Sequence, residues 1–325
     1  MSSIMKNQVC NLTSGTRILG KWHKHPYKIV KELGNGATGT VYLAESAVGL
    51  VALKLGLNSM AITSEVNVLK HFSKVQGQVL GPSLIDVDDW VTKEGNVPFY
   101  AMEYLNGQEL LSFVHGRGSE WIGILIVQLL GDLDRLHQAG WIFGDLKPDN
   151  LIVVGPPPRI RWLDVGGTTL MGRSIKEYTE FFDRGYWGLG TRKAEPTYDL
   201  FAVAMIMINI CYPIRFEKNA EGLKLLKERI GSKPILMQYE NVLQNALQGK
   251  YPNAQLMKKD VVECISKSKH SVVSANVKQS SLKTKKRNIK VRKKGKEKSN
   301  GFIETFLFGS FLLLAYILYL FGQMM

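Results

Sequence analysis

The feature that most restricts the fold is a short polar loop, "DLKPDN" at 145–150, that follows an apolar helical pattern. Fourteen residues after the loop, Asp164 ends a strand-like run. The carboxylate of Asp164 and the amide oxygen of Asn150 are hard ligands that suit Mg²⁺. Asp145 can accept or orient a hydroxyl proton, and Lys147 can neutralise charge on a phosphate. The spacing therefore indicates a site that handles a metal-bound phosphate.

A glycine-rich stretch, "ELGNGATGTVYLAE", lies near the start of the chain. Gly34, Gly36 and Gly39 let backbone N–H groups approach phosphate oxygens without interference from a Cβ atom. Leu33 precedes the glycines and the β-branched Val41 follows them, which predicts strand–turn–strand. The turn of a dinucleotide-binding fold would lead into a helix instead. Alone, the pattern is equally typical of an ordinary hairpin.

Two charged residues come next. Lys54 ends the apolar strand "VALK", and Glu65 lies in the helical pattern "AITSEVNVLKHF". Singly, a strand-end lysine usually faces solvent, and the glutamate could simply open a helix. Together they could hold the α- and β-phosphates of a nucleotide. The strand "VPFYAMEYLNGQEL" would then offer backbone groups near Glu103 and Leu105 to an adenine edge, with Ala52 over its face. The alternative is a plain strand that leads into a turn.

The joint order of these motifs resembles that of the eukaryotic-like (Hanks-type) Ser/Thr protein kinases over about residues 25–265. The resemblance implies an α+β, bilobal protein-kinase fold with a β-rich N-lobe and an α-helical C-lobe. It also implies an enzyme that transfers the γ-phosphate of ATP to Ser/Thr hydroxyls of proteins, its own chain included. The expected ion is Mg²⁺, with Mn²⁺ as the alternative.

The resemblance assigns roles to individual residues. Asp145 is the expected base and Lys147 the phosphate clamp. Asn150 completes the catalytic group and is a metal ligand together with Asp164. Asp199 looks like the aspartate that opens the long buried C-lobe helix and supports the catalytic loop. The expected nucleotide-binding residues are Leu33, Gly34, Gly36, Gly39, Val41, Ala52, Lys54, Glu65, Glu103 and Leu105.

Three features depart from the family pattern. Phe143 and Gly144 replace His-Arg, and "DVG" at 164–166 replaces Asp-Phe-Gly. The Ala-Pro-Glu motif is missing about twelve residues before Asp199, as is the later arginine that would pair with its glutamate. Losing both partners strands no buried charge. We therefore expect an active kinase whose switch is not an arginine-bound loop phosphate. The alternative is a pseudokinase scaffold that binds ATP.

The activation segment of the family corresponds here to the stretch between Asp164 and Asp199. Four of its hydroxyl residues, Thr168, Thr169, Ser174 and Thr179, are candidates for autophosphorylation. Their position in the segment is the only reason to single them out. Thr179 also falls about twenty residues before Asp199. At that spacing the family's threonine bonds the catalytic aspartate and lysine.

Composition divides the chain into parts. The first 266 residues hold 29 Lys and Arg against 26 Asp and Glu, whereas the last 59 hold 13 against 2. We predict an N-terminal extension at 1–24, a kinase domain at 25–266, a disordered basic linker at 267–300 and a transmembrane helix at 302–321. Twenty helical residues span a hydrocarbon core of about 30 Å. The alternative for the last segment is a buried core helix.

The three cysteines form no CxxC pair, which argues against a disulfide framework or a zinc site.

The linker carries a dense basic cluster, with ten Lys and Arg residues at 283–298 against one acid. Beside a membrane span it would place the kinase domain in the cytoplasm and attract anionic lipid. It could equally bind nucleic-acid phosphates, or act only as a topology signal. No aromatic residue between 271 and 301 offers base stacking. A polyanion could cluster kinase domains for autophosphorylation in trans. The expected contacts are Lys283, Lys285, Lys286, Arg287, Lys290, Arg292, Lys293 and Lys294.

This layout resembles the YabT-type membrane-anchored kinases of endospore-forming bacilli. That resemblance implies a single-pass protein of the bacterial cell membrane with a C-terminal anchor and a cytoplasmic kinase domain. It further implies a role in sporulation, with DNA as the polyanion. The remaining alternative is a membrane tether for nucleic acid.

Overall fold

The computed structural model describes residues 11–36, 38–56, 58–73 and 80–267, all within one compact unit. The predicted linker, apart from its first residue, and the predicted span at 302–321 lie outside the described residues. Within the part of the chain that is described, no helix has the length and apolar character needed to cross a membrane.

The N-terminal half is a six-stranded antiparallel sheet in the order β1-β2-β3-β4-β6-β5. β1 falls inside the predicted N-terminal extension and pairs with β2. The register places Val41 opposite Lys54, and Lys54 opposite Tyr100. The strands are β1 Arg17–Leu19, β2 Pro26–Gly36, β3 Gly39–Ser46, β4 Gly49–Gly56, β5 Leu84–Thr92 and β6 Gly95–Glu103.

One helix, α1 (Ser59–Phe72), packs against this sheet. The side chain of Asn58 caps it by accepting the N–H of Met60 at 2.8 Å. Its buried residues recur at helical spacing, which gives the helix an apolar face. Glu65 lies on that face among apolar side chains, so its carboxylate must find a partner inside the protein.

The C-terminal half is helical and is built around α4 (Pro196–Cys211), whose residues from Tyr198 to Ile210 are all buried. A helix that is apolar on every side belongs at the centre of a core. The other helices are α2 Leu110–Arg117, α3 Glu120–Gln138, α5 Gly222–Gly231, α6 Pro234–Met237 and α7 Glu240–Leu247. Residues 254–267 are also helical.

The fold also contains two small sheets, with the strand orders β10-β9-β7 and β11-β8. The pairing of β11 with β8 brings the chain after Asp164 beside the chain before Asp145. The strands are β7 Gly107–Glu109, β8 Trp141–Ile142, β9 Leu151–Val154, β10 Arg159–Trp162 and β11 Thr169–Leu170. The sheet-rich first half and helical second half confirm the predicted bilobal α+β fold.

Candidate active site

A buried carboxylate holds the backbone just before the loop at 145–150. Asp199, in the first turn of α4, has no exposed surface. It accepts hydrogen bonds from the backbone N–H groups of Phe143 at 2.8 Å and Gly144 at 3.0 Å. Nε2 of His137 lies 2.9 Å from the same carboxylate. Because two consecutive peptide N–H groups are held by one rigid helix, the start of the loop is fixed.

The side chains that follow form a closed hydrogen-bonded group. Nζ of Lys147 lies 2.5 Å from Oδ2 of Asp145 and 3.1 Å from the hydroxyl of Thr179. That hydroxyl donates to Oδ1 of Asp145 at 3.0 Å. Asn150 donates its amide N–H to the backbone oxygen of Asp145 at 2.7 Å. The carboxylate of Asp145 is therefore held in one orientation by partners on both sides.

A second charged group lies on the sheet side. Lys54 and Glu65 are both almost fully buried, and their charged atoms are 2.7 Å apart. The hydroxyl of Tyr100 donates to the same oxygen of Glu65 at 2.7 Å. Burial acts to lower the pKa of Lys54, but the carboxylates of Asp164 and Glu65 raise it overall. The ammonium therefore stays charged inside the protein.

Carboxylates converge next to this pair. The side chain of Asp164 is half exposed, 3.7 Å from Nζ of Lys54, and accepts the N–H of Gly166 at 2.9 Å. Burial raises the pKa of Glu177, and the neighbouring carboxylates of Asp164 and Asp145 raise it further. The crowded negative charge favours a cation. Among the described residues nothing donates to the amide oxygen of Asn150, so that oxygen and Asp164 fit a hard divalent ion such as Mg²⁺.

The three glycines of the β2–β3 hairpin have different surroundings. A Cβ on Gly39 would lie 2.1 Å from the carbonyl oxygen of Leu55, and its φ is +154°, so the fold itself requires glycine there. Among the described residues other than its chain neighbours, a Cβ on Gly34 would meet no atom within 4 Å, and one on Gly36 would lie 3.9 Å from the carbonyl oxygen of Gly39. Close packing therefore does not explain these two glycines, whereas approach by a ligand would. Leu33 beside them is exposed.

The segment at the end of β6 connects the two halves. The carboxylate of Glu103 pairs with Arg161 at 3.0 Å, and the backbone N–H of Glu103 donates to the backbone oxygen of Ser83 at 2.9 Å. Leu105 is buried, and its N–H donates to no acceptor among the described residues. Ala52 is buried on the adjacent strand β4. The Leu105 N–H is therefore a backbone donor that a ligand edge could use.

The two residues before Asp145 explain how the chain does without the family's His-Arg. Phe143 is buried and packs edge-to-face on Trp162, with ring centroids 5.0 Å apart. Trp162 in turn packs on Phe72 of α1 at 5.8 Å. Gly144 has φ of +84°, and a Cβ there would lie 2.6 Å from the carbonyl oxygen of Gly167. This backbone has no room for an arginine at 144.

The activation segment is organised by a carboxylate that sequence reasoning missed. Asp183 has no exposed surface and accepts the backbone N–H groups of Gly185 and Tyr186 at 3.0 and 2.9 Å. It also accepts the Tyr198 hydroxyl at 2.9 Å and pairs with Arg192 at 2.6 Å. The adjacent Asp-Arg pair at 183–184 was the only sequence signal.

Arg184 ties the segment to the start of α4. Its guanidinium is buried and pairs with Glu195 at 2.6 Å. It also donates to the backbone oxygen of Thr191 at 2.6 Å. Trp187, twelve residues before Asp199, lies where the family pattern has its paired glutamate. That tryptophan is buried and packs edge-to-face against Phe181, so an aromatic contact stands where the family has an ion pair.

The structure separates the four candidate phosphorylation sites. Thr168 and Thr169 are buried, and the Thr179 hydroxyl bonds Asp145 and Lys147. Ser174 is exposed.

The predicted linker contacts Lys283, Lys285, Lys286, Arg287, Lys290, Arg292, Lys293 and Lys294 lie outside the described residues.

Comparisons with known proteins agree with this geometry. Residues 27–288 match the family model described as protein kinase domain. The chain is 56% identical over 265 residues to serine/threonine-protein kinase YabT of Bacillus subtilis, which is 81% of this chain and 78% of that protein. It is 31% identical to calcium/calmodulin-dependent protein kinase type 1B of Rattus norvegicus, over 40% of this chain and 39% of that protein. The solved structure of vaccinia related kinase 3 matches in fold, with a TM-score of 0.59, 15% identity and coverage of 82% of this chain and 94% of the other.

Proposed function

Since the chain belongs to the protein kinase family and is a serine/threonine protein kinase, we propose that the site described above transfers the γ-phosphate of Mg-ATP to Ser and Thr hydroxyls. The acceptors are other proteins and the chain itself. The observation that carries the proposal is the hydrogen-bonded group of Asp145, Lys147 and Thr179, together with the buried Lys54–Glu65 pair, whose lysine lies 3.7 Å from Asp164.

Asp145 is the proposed base, because its carboxylate is held in place and can accept the proton of an incoming hydroxyl. Lys147 lies against it and can neutralise charge on the phosphate in transfer. Asn150 and Asp164 would hold Mg²⁺, with Mn²⁺ as an alternative. The bound ion would offset charge on the phosphate oxygens. Each group acts by position and charge, which is what phosphoryl transfer requires of a protein.

The proposed nucleotide clamp is the Lys54–Glu65 pair. Glu65, which also accepts the Tyr100 hydroxyl, holds the Lys54 ammonium where it can meet the α- and β-phosphates. Gly34 and Gly36 leave room for the phosphates beneath the hairpin. The other proposed nucleotide contacts are Leu33, Gly39, Val41, Ala52, and the backbone of Glu103 and Leu105.

Two substitutions in one loop test the base. Asp145→Asn keeps the shape of the side chain but removes the proton acceptor, and we expect kcat to fall about 1,000-fold with ATP affinity kept. Asp149→Asn is the matched control, since Asp149 is exposed and, among the described residues, pairs only with the surface residue Arg215. It should stay within about threefold of the wild type. The measurement is transfer of labelled γ-phosphate to a protein substrate, beside direct ATP binding.

The alternative of a pseudokinase makes a different forecast. A scaffold would bind ATP yet transfer no label in any variant, the wild type included. Equal losses in Asp145→Asn and Asp149→Asn would also contradict the proposed role of Asp145. A large loss confined to Asp145→Asn would support it.

A second part of the proposal concerns the C-terminal sequence. We propose that residues 302–321 anchor the chain in the bacterial cell membrane and that residues 283–298 bind DNA or another polyanion. Binding would bring kinase domains together for autophosphorylation in trans. The supports are the apolar twenty-residue run, the ten basic residues and the 56% identity to the Bacillus subtilis kinase. A role in sporulation rests on the resemblance to kinases of spore-forming bacilli.

The full chain, with a matched pair of linker variants, tests this part. Changing the eight basic residues between 283 and 294 to Gln removes charge, and changing the lysines among them to Arg keeps it. We expect DNA to stimulate the wild type and the Arg variant, to leave the Gln variant unaffected, and to lose its effect as salt rises. Anionic vesicles in place of DNA distinguish lipid from nucleic acid. Equal stimulation of the Gln and Arg variants would contradict the proposal.

A further inference from the structure

A cluster of potential metal ligands lies on the sheet, apart from the residues of the active site. It consists of His23, His25 and Asp86, whose ligand atoms all lie within 4.8 Å of one another. Nδ1 of His23 is 2.6 Å from one oxygen of Asp86, and Nδ1 of His25 is 2.9 Å from the other. Both imidazoles are more than half exposed, whereas the carboxylate is buried. The nitrogens are therefore reachable from solvent around an inward-facing oxygen ligand.

The fold brings these side chains together by joining two edges of the sheet. The histidines lie in the connection at 20–25 between β1 and β2, while Asp86 lies on β5 at the opposite edge. Gly20 forms a backbone bridge with Trp90, and the N–H of Lys21 donates to Asp89 O at 2.8 Å. The two edges thus meet at this connection, and the histidines lie where the edges meet.

A second buried carboxylate fixes the connection. Asp88 accepts the backbone N–H groups of Trp22 and His23 at 2.9 and 2.8 Å. A Cβ on Gly20 would lie 2.3 Å from Oδ2 of Asp88, so only glycine permits this approach. Lys24, between the histidines, has a positive φ of 59°. The backbone that carries both imidazoles is therefore held in place.

Among the described residues, three of the four other buried carboxylates are balanced by a permanent cation, and the fourth, Asp199, pairs with the buried His137. Glu65, Asp132 and Asp183 each pair with a lysine or an arginine. Within the described ranges, the only ion-pair partners of Asp86 and Asp88 are histidines. Two adjacent buried carboxylates without a permanent cation favour an added positive charge.

The surroundings of Asp86 also match those of a metal ligand. The hydroxyl of Tyr27 donates to Oδ2 at 2.7 Å, and the N–H of Val87 donates to Oδ1 at 2.8 Å. Donors of this kind, which orient a carboxylate from behind, are typical of metal sites.

We propose that His23, His25 and Asp86 form a site for a divalent transition-metal ion, Zn²⁺ in particular, which links the two edge strands of the sheet. Two imidazoles and one carboxylate are a donor set that such ions prefer and that Mg²⁺ does not. A tetrahedral ion with bonds of about 2.0–2.1 Å needs ligand atoms about 3.3 Å apart, so small side-chain rotations suffice. Solvent can supply the fourth ligand.

Metal titration of the full chain in detergent tests the proposal. The protein is stripped with a chelator and kept in excess Mg²⁺, so that hard-ligand sites are already filled. The probes are Co²⁺, read by its visible absorption, and Zn²⁺, read by the rise in Tm. We expect one Co²⁺ per chain and a Zn²⁺-induced rise in Tm of about 5 °C.

Two variants identify the ligands. His23→Gln combined with His25→Gln should lose the Co²⁺ absorption and the Zn²⁺-induced rise in Tm. The control His115→Gln changes an exposed histidine outside the cluster and should keep both. Because each comparison is made with and without metal in the same variant, a lower starting Tm does not affect the result. Equal metal responses in the double variant and the wild type would overturn the proposal, as would no saturable binding by the wild type. In the latter case the histidines would act only as hydrogen-bond donors to Asp86.

Discussion

Two buried carboxylates, Asp199 and Asp183, organise neighbouring parts of the molecule by the same means. Neither has any exposed surface. Asp199 accepts two consecutive backbone N–H groups at 143–144, and Asp183 accepts two at 185–186. The first fixes the start of the catalytic loop and the second fixes the activation segment. A single buried carboxylate can therefore hold a whole loop, because peptide N–H groups are strong donors to a charged acceptor.

The difference lies in their remaining partners. Asp199 contacts His137, which is buried with it. Asp183 contacts Tyr198 inside and Arg192 at the surface, where the arginine side chain is 41% exposed. The catalytic loop is thus held entirely from within, whereas the activation segment depends in part on a group that solvent reaches. Such a segment can be held in place by the chain itself, without a phosphate bound to an arginine at 144.

Among these two carboxylates and their partners, the largest effect is expected at Asp199. Asp199→Asn removes the charge and turns an amide NH₂ toward existing donors. We expect a loss of about 3 kcal/mol in the free energy of unfolding and about a 100-fold loss in kcat. Chemical denaturation and steady-state kinetics at saturating ATP measure these separately.

Asp132→Asn is the control for Asp199→Asn. Asp132 is also buried and pairs with Arg135 and Arg159 away from the catalytic loop. It should lower stability but leave the kcat of the folded fraction unchanged. If Asp132→Asn lowers kcat as much as Asp199→Asn, then the effect of Asp199 on the loop is only general instability.

An intermediate effect is expected at Asp183. Asp183→Asn should loosen the activation segment while the loop at 145–150 stays in place. We predict a loss of about tenfold in kcat/KM for a protein substrate, with ATP affinity unchanged, because the nucleotide contacts lie elsewhere. Initial rates over a matrix of ATP and protein concentrations give both values. A change of equal size in ATP affinity would mean that the two carboxylates do not act on separate regions.

The smallest effect is expected at Arg192, the exposed partner of Asp183. Arg192→Gln leaves Asp183 with its two backbone donors and the Tyr198 hydroxyl. We expect a loss of about two- to threefold in kcat/KM for a protein substrate. Arg192→Lys should recover most of it, since the charge returns. A loss as large as that of Asp183→Asn would show that the surface arginine, and not the buried carboxylate, holds the segment.

The sequence predicted the groups that face a ligand better than the groups that support them. Lys54, Glu65, Asp145 and Asn150 could be found because the chemistry of phosphate transfer restricts their residue types and because their order resembles that of the kinase family. Asp183 could not, since its role depends on contacts with backbone groups that only the folded chain brings near. The bilobal fold was implied by the same resemblance.

Two further contacts show the same limit. Tyr100 lies in an apolar strand whose pattern predicts a core position. The pairing of β6 with β4 places it opposite Lys54, and its hydroxyl then donates to Glu65, the partner of that lysine. Trp187 stands where the family has an ion-pair glutamate and packs against Phe181, which spacing alone does not reveal. Both contacts form only in the folded chain, so a local sequence pattern does not predict them.

The central claim is that the activation segment is in place without a loop phosphate. The most direct test is the initial rate of the phosphatase-treated full chain, measured with DNA present, beside the untreated chain and Ser174→Ala. Ser174 is chosen because it is the exposed member of the four candidates. The account predicts full rate without a lag in all three, within about twofold. A lag or a loss of tenfold or more after dephosphorylation, recovered by preincubation with ATP in the wild type but not in Ser174→Ala, would contradict it.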